Sequence, residues 1–181
     1  RRLSYLHGFQ CANFAAGRDA PWSAACRLLL HGSWSWPLRG SSDGAFLLGR
    51  MADHTANAGK VYFPAGTPDP GDVLPDGTVD LAGSVVRELE EETGLTTNDL
   101  ELTNRWVVTF AGARTAMMRE IRLPQPAEAA RERIRAFLSR EERPELSDIC
   151  VVRDPADIDP AAMPPFMQAF LRFALDRDGQ G

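Results

Sequence analysis

One short segment, Arg87 to Leu95 (RELEEETGL), constrains this chain more than any other because it places four carboxylates within five residues. The segment lies in a predicted helix. Asp80 is a good N-cap at its start, and Gly94 is a favourable stop signal at its end. Apolar Val85 and Leu89 lie one turn apart between these two residues. The sequence therefore predicts an amphipathic helix with one acidic side.

Three of the four glutamates share one face of this helix. At about 100° per residue, Glu88, Glu91 and Glu92 fall within an arc of roughly 100°. Glu90 points away, into solvent. Like charges at this spacing repel one another, and those in the last turn also meet the negative end of the helix dipole. Arg87 relieves part of the repulsion by pairing with Glu91, but stability alone would not select this arrangement.

Two interpretations fit such a cluster of carboxylates. A run of glutamates is ordinarily a solvated helix surface, and a structural protein of this kind would bind no divalent ion and have no pocket beside the helix. A tight group of hard oxygen ligands is also what Mg²⁺ and Mn²⁺ prefer. Spacing alone leaves both interpretations open.

The segment resembles the second half of the Nudix box, whose full pattern is G-x5-E-x7-R-E-U-x-E-E-x-G-U, where U is an aliphatic residue. The matching residues are Arg87, Glu88, Leu89, Glu91, Glu92, Gly94 and Leu95. Upstream, the run from Phe63 to Gly66 (FPAG) is similar to the strand and turn that enter the box in this family. The chain is identified on these residues as a member of the Nudix hydrolase family, with a similarity that extends from Ala25 to about Arg153.

The first half of the pattern departs from the family. Counting back from the arginine of the box, the first glutamate falls on Val79 and the first glycine on Val73. We expect Gly66 to take the place of that glycine and about seven extra residues to follow it. In the family, the glutamate at this position mostly supports the residues that bind the metal and does not bind it directly. We expect Asp76 or Asp80 to compensate for its absence.

The resemblance implies a Mg²⁺-dependent hydrolase, with Mn²⁺ as the alternative ion, that cleaves the phosphoanhydride bond of a nucleoside diphosphate linked to another group. By position, Glu88, Glu91 and Glu92 would hold the metal, and Arg87 would orient them by salt bridge. Divalent ions are needed because a diphosphate repels both hydroxide and an acidic protein. The alternative is a Nudix-fold nucleotide-binding or regulatory module without catalysis, which the loss of the glutamate at Val79 favours.

The general base and the substrate-binding residues have weaker signals. Relatives take the base either from the box or from a later loop. Glu145, in RPELSD before the last predicted strand, is the first loop candidate, and Glu120 is the second. Either could equally be an ordinary surface glutamate. Arg50 and Arg114 lie where they could clamp phosphates, and Gly66 is the third candidate for substrate binding.

The class of substrate stays open at this stage. Residues 47–50 (LLGR) and 59–64 (GKVYFP) are similar to part of a pattern in coenzyme A-cleaving Nudix enzymes, but Thr55 replaces its second arginine. Sugar nucleotides, dinucleotides and oxidised nucleotides are the alternatives. Trp34 and Trp36 would stack on a base if their segment were extended, or else cover the edge of the core.

Composition restricts the partners and the location. A net charge of −5 argues against nucleic acid as the main partner. Cys11, Cys26 and Cys150 show neither metal-ligand nor disulfide spacing, so we expect free thiols. No apolar run approaches the roughly 18 residues that span a bilayer. We expect a cytoplasmic protein with a small-molecule substrate and no membrane partner, as a monomer or a homodimer.

The order of predicted elements favours an α/β (α+β) fold, a Nudix-type αβα sandwich with a central mixed sheet. Strands are predicted at residues 25–30, 45–50, 61–63, 100–110, 115–123 and 149–153. Helices are predicted at residues 80–94, 126–140 and 164–176, the last with a packing face of Phe166, Phe170, Phe173 and Ala174. Residues 1–22 are predicted to be an irregular arm, residues 31–44 a long connection, and residues 23–181 one domain.

Overall fold

A computed structural model of the chain describes residues 3–7, 33–36, 41–66, 70–111 and 114–178, with the backbone alone for residues 3–7, 33–36, 110, 111, 114, 115, 177 and 178. The strands are β1 (Leu3–His7), β2 (Ser33–Trp36), β3 (Phe46–Met51), β4 (Val61–Tyr62), β5 (Ala65–Gly66), β6 (Glu101–Ala111), β7 (Arg114–Arg122) and β8 (Leu146–Val152). The helices are α1 (Leu81–Thr93), α2 (Ala127–Leu138) and α3 (Pro165–Asp178). None of these helices has the length and apolar character needed to cross a membrane.

The strands divide into two sheets. A five-stranded sheet has the order β1-β6-β7-β2-β5, and a three-stranded sheet has the order β4-β3-β8. Among the described strands, only β2 and β7 pair in parallel, so the larger sheet is mixed and the smaller one antiparallel. The predicted α+β Nudix fold is confirmed. The structure has two sheets, however, where the sequence predicted one central sheet. Pro64 lies where the chain leaves β4 for β5, and its lack of an N–H group suits a break in the ladder.

Two strands lie where the sequence predicts irregular structure. β1 falls within the predicted arm and pairs with β6, placing Tyr5 opposite Val107. β2 falls within the predicted connection and pairs with both β7 and β5, so Trp34 and Trp36 are in an extended segment. These short strands are stabilised by distant partners and have little local signal of their own. The predicted strand at residues 25–30 and the boundary at residue 22 lie outside the described residues.

Both predicted ends of α1 are confirmed. The Asp80 carboxylate accepts a hydrogen bond from the Gly83 N–H at 2.8 Å, which caps the first turn. Gly94 has a φ of 68°, in the left-handed region, and its N–H donates to the Glu90 carbonyl. A Cβ added at Gly94 would also lie 2.6 Å from Cγ of Phe137. The glycine therefore ends α1 and lets α2 approach it.

Helices cover both faces of the three-stranded sheet. The Phe170 ring of α3 packs edge-on against Phe46 and Phe63, with centroid distances of 6.2 Å and 5.8 Å. On the other face, Leu47 lines a small apolar cavity with Leu89 of α1 and Ile134 of α2. The packing face predicted for the last helix is confirmed: Phe170 and Ala174 are buried, and Phe166 and Phe173 are half-buried. This packing fixes α1, and with it the acidic face.

Asp99→Asn should weaken the contact between the loop after α1 and helix α2. The Asp99 carboxylate accepts hydrogen bonds from Thr96 N–H and Oγ1, both at 2.9 Å, and pairs with Arg133. Arg133 first, and then Thr96, lower the pKa of Asp99 to about 2. This contribution is therefore present above the unfolded pKa of 3.8 and is lost as the pH falls towards 2.

Because the pair is partly solvated, we expect Asp99→Asn to cost about 1 kcal/mol of unfolding free energy at pH 7. Urea denaturation measures this cost, and Asp53→Asn in an exposed turn is the control. An equal loss at pH 2 and pH 7 would contradict the assigned role of the Asp99 charge.

Candidate active site

The acidic face of α1 forms one wall of a small polar pocket. Glu88, Glu91 and Glu92 line it, together with Glu145 from the loop that precedes β8. The cavity has a volume of about 160 Å³, and its remaining lining residues are Phe137, Leu138, Glu141, Arg143 and Pro144. The structure thus places the three predicted metal ligands beside the first candidate for the general base.

Glu92 is the most deeply buried of these carboxylates. Its side chain is 7% exposed, and its Oε2 atom has no hydrogen-bond partner among the described residues. The pKa of Glu92 is raised to about 8, mainly by burial. The charge of Glu145 contributes more to this rise than the charges of Glu88 and Glu91 do. A hydrogen bond from the Ala65 backbone acts in the opposite direction. A bound cation would satisfy the unpartnered oxygen and favour the ionised carboxylate.

Glu88 lies against the backbone of β5. A Cβ added at Gly66 would be 2.5 Å from Cγ of Glu88 and closer still to its carboxylate, so any larger residue at this position would displace the Glu88 side chain. The Glu88 side chain is 18% exposed. Burial raises the pKa of Glu88, and the charge of Arg87 lowers it. Gly66, predicted to bind substrate, is therefore placed where it makes room for a predicted metal ligand.

Arg87 forms ion pairs with three acidic residues, two on its own helix and one in the loop before it. Its guanidinium lies 2.9 Å from the Glu88 carboxylate and 3.6 Å from that of Glu91. The predicted contact between Arg87 and Glu91 is thus present, but Glu88 is closer. Those two contacts are made by Nη1 of Arg87. Its second terminal nitrogen, Nη2, lies 3.0 Å from the Asp72 carboxylate. Arg87 is in a position to hold the two glutamates by their side-chain oxygens.

Asp72 is the partner that sequence reasoning missed. It is 8% exposed, and both of its carboxylate oxygens accept hydrogen bonds from Arg87, at 3.0 Å and 3.3 Å. Five residues separate Gly66 from Asp72, which is the spacing between the glycine and the first glutamate of the box. Counting forward from Gly66, rather than back from Arg87, would have found it. Asp72 therefore occupies the place in the box that backward counting assigns to Val79.

The extra residues of the loop form a small hairpin after Asp72. Val73 and Val79 form an isolated antiparallel bridge, and the Gly77 φ of 83° turns the chain between them. Asp76 accepts hydrogen bonds from the N–H and hydroxyl of Thr78, and Asp80 caps α1. The expectation that Asp76 or Asp80 compensates for the missing glutamate is therefore not supported by their contacts. Because the two ends of the insertion meet, Asp72 stays in contact with Arg87 despite the extra residues.

Asp72→Asn should lower metal affinity or turnover by about tenfold, the smaller end of the usual effect of residues that orient metal ligands. The asparagine keeps the size of the side chain but removes the charge that holds Arg87. Titration of Mg²⁺ against initial rate measures the effect. Asp76→Asn, in the exposed turn of the hairpin, is the matched control and should leave the rate unchanged. Equal rates for the two variants would contradict the role of Asp72.

Two of the other candidates, Arg50 and Glu120, do not line this pocket. The Arg50 side chain donates to Sγ of Cys150 at 3.6 Å. The backbone of Arg114 lies in β7, opposite Ala111, and its side chain is outside the described part of the structure. Glu120 has a fully buried side chain that forms ion pairs at 3.0 Å with both Arg105 and Arg122. Because Glu120 is held within the sheet, its position favours Glu145 as the loop base.

The donor set fits a divalent cation in its chemistry, but the carboxylates do not yet converge. Within the described ranges, no three acidic, histidine or cysteine side chains are grouped closely enough to hold an ion. The Glu91 side chain is 61% exposed and turns towards Arg87, whereas Glu92 is buried. Glu91 lies on the same helix face as Glu88 and Glu92, and its exposed side chain is free to adopt other rotamers.

Comparisons with known proteins agree with the fold. Residues 31–177 match the family model of the NUDIX domain. The structure resembles an Ap4A hydrolase from C. elegans, with a TM-score of 0.54, 16% identity, and coverage of 83% of this chain and 99% of that one. It also resembles the Nudix hydrolase RenU from M. smegmatis, with a TM-score of 0.52, 16% identity, and coverage of 82% and 85%.

A Nudix hydrolase from Nitrosomonas europaea gives a TM-score of 0.51 at 14% identity, over 83% of this chain and 72% of that one. No protein of curated function matches the sequence significantly. Identities this low show the fold alone, but the family model covers most of the chain and includes the acidic helix. The chain belongs to the Nudix family.

Proposed function

We propose that this protein hydrolyses a phosphoanhydride bond in a nucleoside diphosphate linked to another group, with Mg²⁺ or Mn²⁺ held by Glu88, Glu91 and Glu92. The observation that carries the proposal is the buried Oε2 of Glu92, which lacks a hydrogen-bond partner among the described residues and belongs to a pocket that four other glutamates also line. Burying a carboxylate in this way costs stability, which a bound cation would offset. A structural acidic surface would leave the carboxylate in water.

The residues around the cluster have separate roles in this proposal. The absence of a side chain at Gly66 leaves room for the Glu88 carboxylate. Arg87 is held by Asp72 and orients Glu88 and Glu91. A bound divalent ion would neutralise phosphate charge and lower the pKa of a bound water molecule. The fit of the site to such an ion rests on hard oxygen donors and on the unpartnered oxygen of Glu92.

Glu145 is the proposed general base. It lies on the exposed side of the pocket, and its charge raises the pKa of both Glu92 and Glu88, so it is close to the carboxylates without being buried among them. Its backbone carbonyl accepts a hydrogen bond from Ala52 N–H at 2.8 Å, which anchors the loop. A carboxylate in this position can accept a proton from an attacking water molecule.

The test is release of nucleotide or phosphate from a panel of sugar nucleotides, dinucleoside polyphosphates, coenzyme A and oxidised nucleotides, with and without Mg²⁺. Metal-dependent turnover of one class establishes the activity and its substrate. The similar C. elegans protein is an Ap4A hydrolase, which is one reason to include dinucleotides. Glu145→Gln should lower the rate and change its pH profile. A complete absence of turnover would contradict the proposal.

A Nudix-fold module that binds a nucleotide without cleaving it is the second candidate. The failure of the three carboxylates to converge favours it, as does the seven-residue insertion at residues 73–79. Tight nucleotide binding without turnover on any substrate would support this alternative. Size-exclusion chromatography would show whether the chain is a monomer or a homodimer. Action in the cytoplasm, on a small molecule rather than on nucleic acid, stays a prediction from the sequence.

A further inference from the structure

Arg143 is a basic residue in the wall of a strongly acidic pocket. The pocket is lined by five glutamates: Glu88, Glu91, Glu92, Glu141 and Glu145. Arg143 lines the same pocket, and it is exposed. No ion pair between described residues includes Arg143. Its charge is therefore not paired with a carboxylate in the part of the chain that the structure describes.

The loop that carries Arg143 is anchored at this position. Pro144 restricts the preceding residue to extended backbone conformations. The Glu145 carbonyl is bonded to Ala52 N–H, and Leu146 is buried at the start of β8. The backbone thus places Arg143 at the rim of the pocket, where no described carboxylate pairs with it. Such an arrangement suits a residue that binds a ligand.

We propose that Arg143 binds a phosphate oxygen of the substrate and sets the affinity for phosphorylated ligands. The inference rests on the proposed function, because it requires a phosphate group to enter this pocket. The glutamates repel an approaching diphosphate, so cationic groups at the rim are needed to attract it. A guanidinium is well suited because its planar donors match two phosphate oxygens.

The test compares Arg143→Gln with Arg140→Gln. Both arginines are exposed, lie on the same loop and form no ion pair with a described residue, but Arg140 does not line the pocket. The two variants therefore have the same net charge. Arg143→Gln should raise KM about tenfold, as expected for one charge-assisted hydrogen bond, and change kcat by less than about threefold. Arg143→Lys should recover part of the affinity, and Arg140→Gln should resemble the wild type.

A binding experiment without turnover separates this inference from the proposed function. Isothermal titration of methylenediphosphonate in the presence of Mg²⁺ should give about tenfold weaker binding to Arg143→Gln than to Arg140→Gln. This result would support Arg143 even if no substrate in the panel were cleaved. Equal binding and equal KM for the two variants would overturn the role of Arg143. A loss confined to kcat, with KM and binding unchanged, would also overturn it.

Discussion

Glu92→Gln should lower turnover at saturating Mg²⁺ by about 10³-fold while making the metal-free protein more stable. Glutamine has nearly the size and shape of glutamate, and its carbonyl can still accept the hydrogen bond from Ala65. What it lacks is the negative charge that a divalent ion needs. The activity loss therefore isolates the charge of one buried carboxylate.

The gain in stability follows from the pKa of Glu92. Its value in the folded protein, about 8, lies above the ordinary value of 4.5. The folded state thus binds an additional proton between these two pH values, and the stability of the metal-free wild type falls as the pH rises through that range. Removing the charge should restore up to about 5 kcal/mol at pH 9 and nothing below pH 4.

Initial rates and thermal denaturation in EDTA measure the two effects of Glu92→Gln. Glu90→Gln is the matched control because Glu90 is exposed on the same helix and does not line the acidic pocket. We expect wild-type rates and wild-type stability for this control. Loss of activity together with loss of stability in Glu92→Gln would contradict the account, because it would indicate a structural role for the charge.

Gly66→Ala should lower turnover by about 100-fold, the usual order for a displacement of about 1 Å at a reacting centre. The added Cβ would occupy the space of the Glu88 carboxylate, and the backbone of β5 is fixed by its pairing with β2. Glu88 must therefore move. Its contact with Arg87 would be disturbed as well, so we expect weaker binding of Mg²⁺.

Gly83→Ala is the control for the substitution at Gly66. A Cβ at Gly83 would lie 2.8 Å from Cγ of Asp80, so this change disturbs the cap of α1 and leaves the Glu88 contact alone. It should lower the melting temperature while preserving specific activity well below it. A combined Gly66→Ala and Glu88→Asp change shortens the displaced side chain and should recover part of the activity. Wild-type turnover in Gly66→Ala alone would show that Glu88 tolerates the displacement.

Local patterns in the sequence are sufficient to predict α1 and its acidic face. The Asp80 cap, the Gly94 stop and the apolar spacing are all properties of neighbouring residues, and the structure confirms each of them. The same holds for the packing face of α3. Helix periodicity also places three glutamates on one side, because i, i+3 and i+4 positions are adjacent whatever the rest of the fold does.

Features that depend on distant parts of the chain could not be predicted in this way. Asp72 reaches Arg87 only because the ends of the hairpin at residues 73–79 meet, which no local pattern indicates. The burial of Glu120 between two arginines depends on the pairing of β6 with β7. Sequence spacing predicts the helix face on which Glu91 lies. It does not predict that the Glu91 side chain turns towards Arg87, because that depends on the rotamer.

Direct measurement of Mn²⁺ binding by electron paramagnetic resonance tests the central claim, that the acidic face of α1 holds the divalent ion. The wild type, Glu92→Gln and Glu90→Gln should be titrated at pH 8 with substrate analogue absent. We predict that the wild type and Glu90→Gln bind Mn²⁺ with the same affinity and that Glu92→Gln binds at least tenfold more weakly. Equal binding by all three proteins, or none by the wild type, would contradict the account.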